Sequence, residues 1–496
     1  MSHLFSFFSC TNNCLAIAAF AVVLLYEVIN GFHDSANAIA TVIYTHALSS
    51  KLAVILSGIF NFLGVVLGGL GVAYTIVHLI SIDLLFDINS SYGLKAIFSI
   101  LLAAIFWNLC TWILCLPNSS SHTLVGTIIG INITYAISNN ISVMDSFNFD
   151  KFLNVFLSLI ISPILGLIIS GILVLVLNFF WKIIQESYYL YMFSRTYKHL
   201  QKDVTPPFLV RAILILSSIG VSYSHGANDG QKGIGLIMLI LICIFPSEYF
   251  VNLCASQYDI NQTRNSVYSL ENYYIHNKKS LKRSTNIMAI HSIDKNSSSL
   301  DKSSDEKILN VFQSLKKLLD NTLSYKELHI DQRYKLRQLL LYMTEFIDTI
   351  NKYSQIKSDD KHFLKKLKKS LICTIEYAPI WIIMLVALAL SIGTLMGWKR
   401  IVTTFGEKIG TKNITYVQAI SSQLTAAISM STASYTGVPV STTHIISSSI
   451  AGAILVNGDK IQTRTVKNII ISWVLTFPIS IVLSSILYWI SLTMIN

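Results

Sequence analysis

Runs of about 20 apolar residues, the length needed to cross a hydrocarbon core of roughly 30 Å, recur along most of this chain. Hydropathy places them at 14–30, 52–80, 94–116, 152–181, 208–246, 374–398, 415–435 and 467–493. So many such runs leave lipid as the main solvent. The composition agrees: 13% of the 496 residues are charged, against about 25% in an ordinary soluble domain, and the mean hydropathy is +0.57. A cytosolic enzyme is excluded. The first run is not expected to be a secretory signal, because no Lys or Arg precedes it and no small-residue cleavage site follows. It is expected to stay in the membrane, in an all-α polytopic protein.

The net charge of +11 could suggest a nucleic-acid partner, but its location argues otherwise. Residues 278–369 hold 20 of the 37 Lys and Arg and 11 of the 26 Asp and Glu, which is nine of the eleven net positive charges. The apolar part is nearly neutral, so no nucleic-acid partner is expected. Between 250 and 372 the composition turns to Lys, Ser, Asn and Asp, which reads as loop or disorder around Ser297-Ser298-Ser299 and Ser303-Ser304. Within it Ile308, Phe312, Leu315, Leu318 and Leu319 have helical spacing, so a pair of amphipathic helices is expected over 306–349. This basic insert is expected on the cytoplasmic side, as is the loop holding Lys182, Arg195, Lys198, Lys202 and Arg211. Lys399, Arg400, Lys408 and Lys412 lie one apparent span beyond the insert and conflict with that sidedness. The seven cysteines show no CxxC spacing and are odd in number, so they are expected to be reduced packing residues.

Two apolar runs carry unusual interruptions. The first enters Gly31-Phe32-His33-Asp34-Ser35-Ala36-Asn37, and the fifth contains Ser224-His225-Gly226-Ala227-Asn228-Asp229-Gly230. Their glycines and aspartates match at an offset of 195 residues. Pro117-Asn118-Ser119-Ser120-Ser121-His122 matches Pro439-Val440-Ser441-Thr442-Thr443-His444 at an offset of 322, with Gly130 falling on Gly452. The offsets differ by 127 residues, close to the insert counted from 247 to 372. The chain therefore reads as two homologous membrane repeats, 1–200 and then 201–249 with 373–496, divided by the insert at 250–372. Inversion is the expected relation between them, and both apolar runs are expected to be broken at the motifs. The Pro-Ser/Thr segments 117–137 and 438–456 are expected to be re-entrant hairpins or half-helices. Such symmetry with broken helices points to a secondary transporter whose site lies at the repeat interface.

An ionised Asp near the bilayer centre costs about 2.5–3.5 kcal/mol, so it persists only when paired or wetted. Asp34 and Asp229 are expected to line a cavity and hold a cation or a proton; capping of helix ends is the plain alternative. The hydroxyls of Ser119, Ser120, Ser121 and Thr123, with Ser441, Thr442 and Thr443, together with helix-start N–H groups, make a neutral donor nest for a tetrahedral oxyanion. His33, His122, His225 and His444 titrate naturally near neutral pH and make proton coupling available. His225 is the strongest candidate among them, and Glu27, two turns before Asp34, is expected to join the relay. Gly64 and Gly68, like Gly126 and Gly130, have the spacing that lets helices approach closely. No P-loop, HExxH or GxSxG is present, so neither enzyme chemistry nor ATP-driven transport is expected. A sulfate permease, an anion channel and an intramembrane enzyme remain as competing readings.

At these four motifs the chain resembles the Pit family of inorganic phosphate transporters, in its bacterial low-affinity branch. The resemblance extends to Gly397-Trp398-Lys399-Arg400, to Gly406-Glu407-Lys408-Ile409-Gly410 and to the run 423–444. It implies a multi-pass protein of the inner cell membrane that takes up phosphate by proton symport as a neutral metal-hydrogen-phosphate complex, with sodium as the alternative coupling ion. A divalent metal would then be cargo, and no resident cofactor is implied. Carried over motif by motif, Asp34, Asn37, Asn228 and Asp229 would form the cation side. Ser119, Ser121, Thr123, Gln423, Ser441, Thr442 and Thr443 would contact phosphate. His33, His225-Gly226 and Gln231-Lys232 follow the bacterial rather than the sodium-type pattern, while Asn118 departs from the hydrophobic residue usual there. Association with a second copy is left open.

Overall fold

The computed structural model describes residues 13–34, 36–80, 92–114, 116–143, 149–183, 206–290, 304–320, 322–353, 356–396, 410 and 414–494. Among them the secondary structure is helical, apart from an isolated bridge between Gly410 and Ile461. In chain order residues 1–200 contain α1 (Asn13–Asp34), α2 (Ala36–Tyr44), α3 (Ser50–Leu67), α4 (Gly71–Val77), α5 (Tyr92–Ile113), α6 (Ser120–Ser138) and α7 (Phe149–Ile183). Next come α8 (Phe208–Ile244), the one-turn α9 (Pro246–Tyr249), α10 (Gln257–Ile290), α11 (Ser304–Leu319), α12 (Ile330–Tyr353) and α13 (Ser358–Ile372). The chain closes with α14 (Ile380–Leu395), α15 (Tyr416–Thr436), α16 (Thr442–Val456) and α17 (Thr463–Met494). Two compact units result: Met1–Cys243 with Ala378–Asn496, and Ile244–Tyr377.

Among the described residues six helical segments are long and apolar enough to cross a membrane, the run Ile17–Tyr44 over α1 and α2 counting as one, and α14 and α16 are shorter apolar helices. Leu157, Ile161, Ile164, Ile168, Ile172, Leu175 and Phe179 are exposed along α7, as are Val474, Val482, Ile486 and Trp489 along α17. Such stripes suit contact with lipid tails. The packing is reciprocal. Helix α6 lies on α17, and α16 lies on α7. Small residues make the approach close: a Cβ on Gly126 or Gly130 would strike Ser480 or Ser484, and one on Gly452 would strike the Leu167 carbonyl.

Two expectations about the membrane helices need correction. The run 52–80 is two helices, because the chain turns at Gly68-Gly69, where Gly69 has φ +84°. The fifth run is not interrupted: α8 is continuous through residues 224–230. Its glycines serve helix contact, since a Cβ on Gly226 would meet the Asn61 carbonyl and one on Gly230 would meet Val65, both on α3. The first motif is helical up to Asp34, where α1 ends; residue 35 lies outside the described residues, and Gly31 crosses α14 at Leu390 and Gly393. Glycine here permits backbone approach without unwinding the helix. The segments before α6 and α16 are extended through their caps, Ser119 at ψ 111° and Ser441 at ψ 104°.

The second unit has its own apolar core of Ile260, Val267, Leu270, Tyr274, Phe312, Phe346 and Leu364. Much of what composition reads as loop is helix α10. Its buried residues Ile260, Val267, Leu270 and Tyr274 follow a spacing of seven, three and four, hidden among Asn, Ser and Tyr, up to a kink at Asn277 beyond which Leu281 is buried. Arg337, also buried, donates to the Phe250 and Ile375 carbonyls at 2.9 and 3.0 Å and ties the ends of the unit together. Residues 291–303, the loop 397–409 and most of the segment with Lys182, Arg195, Lys198 and Lys202 lie outside the described residues or side chains.

Candidate functional site

The four motifs meet in the first unit. Asp34 at the end of α1 accepts hydrogen bonds from Thr443 Oγ1 at 2.6 Å and Ser120 Oγ at 3.2 Å. Asp229 in the middle of α8 accepts from Thr442 Oγ1 at 3.3 Å and faces His225 Nε2 at 3.2 Å. Its other oxygen accepts from Asn228 Nδ2 at 2.8 Å and is ion-paired with Lys232 Nζ at 2.6 Å. Lys232 Nζ also donates to Ser120 Oγ at 3.1 Å. Ser120 therefore links the ammonium to Asp34. Asp34, His225, Asp229 and Lys232 are all buried.

Local sequence explains this convergence. The residues at i and i+4, His225 and Asp229, share one face of α8, and Lys232 at i+3 from Asp229 joins them. The hydroxyl residues sit at helix starts because Ser119 and Ser441 are the N-caps of α6 and α16. Each accepts a hydrogen bond three residues on, from the N–H of His122 at 3.1 Å and of His444 at 3.2 Å. That fixes Ser120 and the Thr442-Thr443 pair in the first turns, facing the carboxylates. One ligand atom from each of Asp34, His225 and Asp229 lies within 4.8 Å of the others, a spacing that a single cation could bridge.

Behind these groups lies a supporting set. His225 Nδ1 is 3.0 Å from Asn61 Oδ1, and Asn61 Nδ2 donates to Thr394 Oγ1 at 2.9 Å, so α3 and α14 orient the ring. Ser121 Oγ and Asn228 Nδ2 both donate to the Val440 carbonyl, at 2.6 and 3.3 Å. Thr123 Oγ1 donates to the Ser119 carbonyl at 3.0 Å and accepts from Asn118 Nδ2 at 3.1 Å. Asn118 also bonds Asn108 and accepts from Thr476 Oγ1 at 2.6 Å, which gives its polar side chain a place in the interior. The repeated histidines meet each other: the rings of His122 and His444 are 4.4 Å apart, and His444 stacks on Trp473 at 3.9 Å.

The expected site residues are thus distributed unevenly. Asp34, His225, Asn228, Asp229, Thr442 and Thr443 share one polar cluster. Ser119 and Ser441 are engaged as caps, and Ser121 and Thr123 bond backbone carbonyls. Gln423 lies on α15, where it donates to Thr41 Oγ1 and the Ala38 carbonyl and accepts from Ser217 Oγ at 2.5 Å. It joins α2, α8 and α15. Glu27 is buried on α1 against Gly233 of α8, two turns from Asp34. The side chain of Asn37 lies outside those described. Reading the motifs alone left Lys232 without a role and omitted Ser120 from the carried-over phosphate contacts. The available signal was a lysine in an otherwise apolar span, which needs a partner as much as an aspartate does.

A helical bundle with exposed apolar stripes around this buried ionic cluster is a multi-pass membrane protein. The model of the phosphate transporter family matches residues 30–484, so the chain belongs to that family and is a transporter rather than an enzyme. It is 52% identical over 504 residues to the low-affinity inorganic phosphate transporter of Buchnera aphidicola subsp. Baizongia pistaciae, covering 100% of both chains. Against the low-affinity inorganic phosphate transporter PitA of Escherichia coli strain K12 it is 47% identical over 496 residues, covering 99% of both. Among solved structures it is similar to a sodium-dependent phosphate transporter, with a TM-score of 0.52 and 19% identity over 97% of this chain and 100% of that one. That likeness concerns the fold.

Proposed function

We propose that this protein takes up inorganic phosphate across the inner cell membrane by proton symport, the substrate being a neutral complex of a divalent metal with hydrogen phosphate. The observation that carries the reading is the buried cluster in which Asp34 and Asp229, one from each repeat, each receive a hydroxyl from the Thr442-Thr443 pair. Cation-binding carboxylates and oxyanion-binding hydroxyls are thereby joined directly. Loading one alters the hydrogen bonds of the other, which is the physical basis of coupling. Hydrogen phosphate can donate a proton to a carboxylate, whereas sulfate has none to donate, so the carboxylates favour phosphate.

In this reading Asp34, Asn37, Asn228 and Asp229 form the cation side, with His225 and Glu27 as proton carriers. Ser120, Thr442 and Thr443 contact phosphate first. Ser119, Ser121, Thr123, Gln423 and Ser441 hold the helix starts and join the anion shell as the site rearranges. The two repeats are inverted, with α6 and α16 as equivalent half-helices, and rocking of one repeat against the other alternates access. The reciprocal packing of α6 on α17 and α16 on α7 supports that symmetry.

The test is uptake of labelled phosphate into proteoliposomes with magnesium present, driven by an imposed proton gradient and then by sodium instead. Concentrative uptake with the proton gradient, unaffected by excess sulfate, is expected. Uptake driven by sodium alone would replace the coupling ion, and uptake of sulfate in preference to phosphate would overturn the substrate.

A further inference from the structure

Lys232 is an unusual residue to find where it is. Its side chain is fully buried in a membrane helix, and its ammonium touches both halves of the site: Asp229 at 2.6 Å and the Ser120 hydroxyl that binds Asp34. The offset of 195 that aligns Asp34 with Asp229 also aligns Asn37 with Lys232. One repeat thus places a neutral amide three residues after its aspartate, and the other places a fixed positive charge. Packing does not require this, since an uncharged side chain of similar length would fill the same space without desolvating an ion. The charge balance of the site does change. With His225 neutral, and with His33, whose Nδ1 lies 3.6 Å from Asp34, neutral as well, Asp34, Asp229 and Lys232 carry one net negative charge, where two would remain without the lysine.

We propose that Lys232 is a tethered cation. Its ammonium takes, at Asp229, the place that a second coupling ion would otherwise fill, so that the cluster exchanges one coupling ion per cycle, apart from any metal carried with phosphate, and does not respond to sodium. The inference rests on the proposed phosphate transport but concerns which ions the site accepts. An oxygen-lined position beside an unneutralised carboxylate suits a small hard cation such as sodium. Replacing Lys232 with Asn would restore such a position by giving the second repeat the residue of the first. Whatever the charge of Glu27 nearby, that substitution leaves the site one negative charge richer.

The experiment compares the wild type, Lys232→Asn, Lys232→Arg and the double variant Asp229→Asn/Lys232→Asn, with sodium exchanged for choline at constant ionic strength. Melting of the purified full-length proteins and phosphate uptake in proteoliposomes are both read. Wild type and Lys232→Arg are expected to be indifferent to sodium in both. Lys232→Asn is expected to melt at a temperature that rises saturably with sodium, and to show roughly tenfold or greater stimulation of uptake by external sodium, because sodium then compensates a buried charge. The double variant, which lacks that surplus charge, should lose both responses. A folded Lys232→Asn that behaves alike in sodium and choline would overturn the inference, as would stabilisation of the wild type by sodium. If Lys232→Asn cannot be purified, Lys232→Gln takes its place with the same two outcomes. Absence of phosphate uptake by the wild type would instead defeat the transport reading, and the sodium dependence of melting would still decide the role of Lys232.

Discussion

The two aspartates of the site have different surroundings, and the difference predicts different behaviour on substitution. Asp229 is ion-paired with Lys232, whereas Asp34 accepts from the hydroxyls of Thr443 and Ser120. Replacing Asp229 with Asn strands a buried ammonium and is expected to lower stability by about 3–5 kcal/mol, as breaking a buried pair from one side does. Asp34, which also lies 3.6 Å from His33 Nδ1, keeps hydroxyls that can bond an amide, so Asp34→Asn should melt closer to the wild type than Asp229→Asn. Both should lose concentrative phosphate uptake. Thermal melts run beside uptake assays separate the two effects, and equal destabilisation by both variants would contradict the assignment of Lys232 to Asp229. Asp34, Asp229 and the Ser/Thr triplets could be recognised from sequence because polar residues stand out in apolar runs and recur at fixed offsets. Gln423 was harder to interpret. Its amide joins three helices, and no local pattern distinguishes that duty from a substrate contact.

Among the elements, the helix starts at Ser120 and Thr442 position the hydroxyls, and their caps hold those starts in place. Ser119→Ala and Ser441→Ala should each cost about 1 kcal/mol through the lost cap. The accompanying loss of uptake should be partial, because Ser120, Thr442 and Thr443 remain. Complete loss with unchanged melting would mean that the cap hydroxyls bind substrate directly. At Gly226 a Cβ would run into the Asn61 carbonyl, and Asn61 orients His225. Gly226→Ala is therefore expected to destabilise by about 1–3 kcal/mol, the range for overpacking, and to impair uptake by displacing α3 from the site. Unchanged melting and uptake would count against the close crossing. The continuity of α8 was not legible beforehand, since glycine beside Asn and Asp signals a break in isolation. Only the neighbouring helix reveals that the glycines are contact points. Helix α10 was missed for the opposite reason: its apolar spacing is regular, but Tyr and Asn dilute it.

For the whole molecule, the apolar runs are enough to anticipate a helical, multi-pass membrane protein. The fold of the second unit, Ile244–Tyr377, depends on buried groups that composition does not reveal. Burial pushes the hydroxyl of Tyr325 up to about 12 and that of Tyr249 to about 12, against about 10 in an unfolded chain. The unfolded chain therefore loses these protons first as pH rises. Their contribution is complete below about pH 10 and falls away toward pH 12. Alkaline titration of the full-length protein, followed by phenolate absorbance and circular dichroism, should show late-titrating tyrosines ionising together with loss of helix. Complete ionisation with helix retained would contradict their burial. Joint movement of phosphate and protons through the Asp34–Asp229 cluster is read by proton flux. Sodium-free proteoliposomes in weakly buffered medium are given phosphate and magnesium while the external pH is recorded. Alkalinisation that follows phosphate entry in the wild type and disappears in Asp34→Asn is the predicted result; phosphate entry with no accompanying proton movement would contradict it.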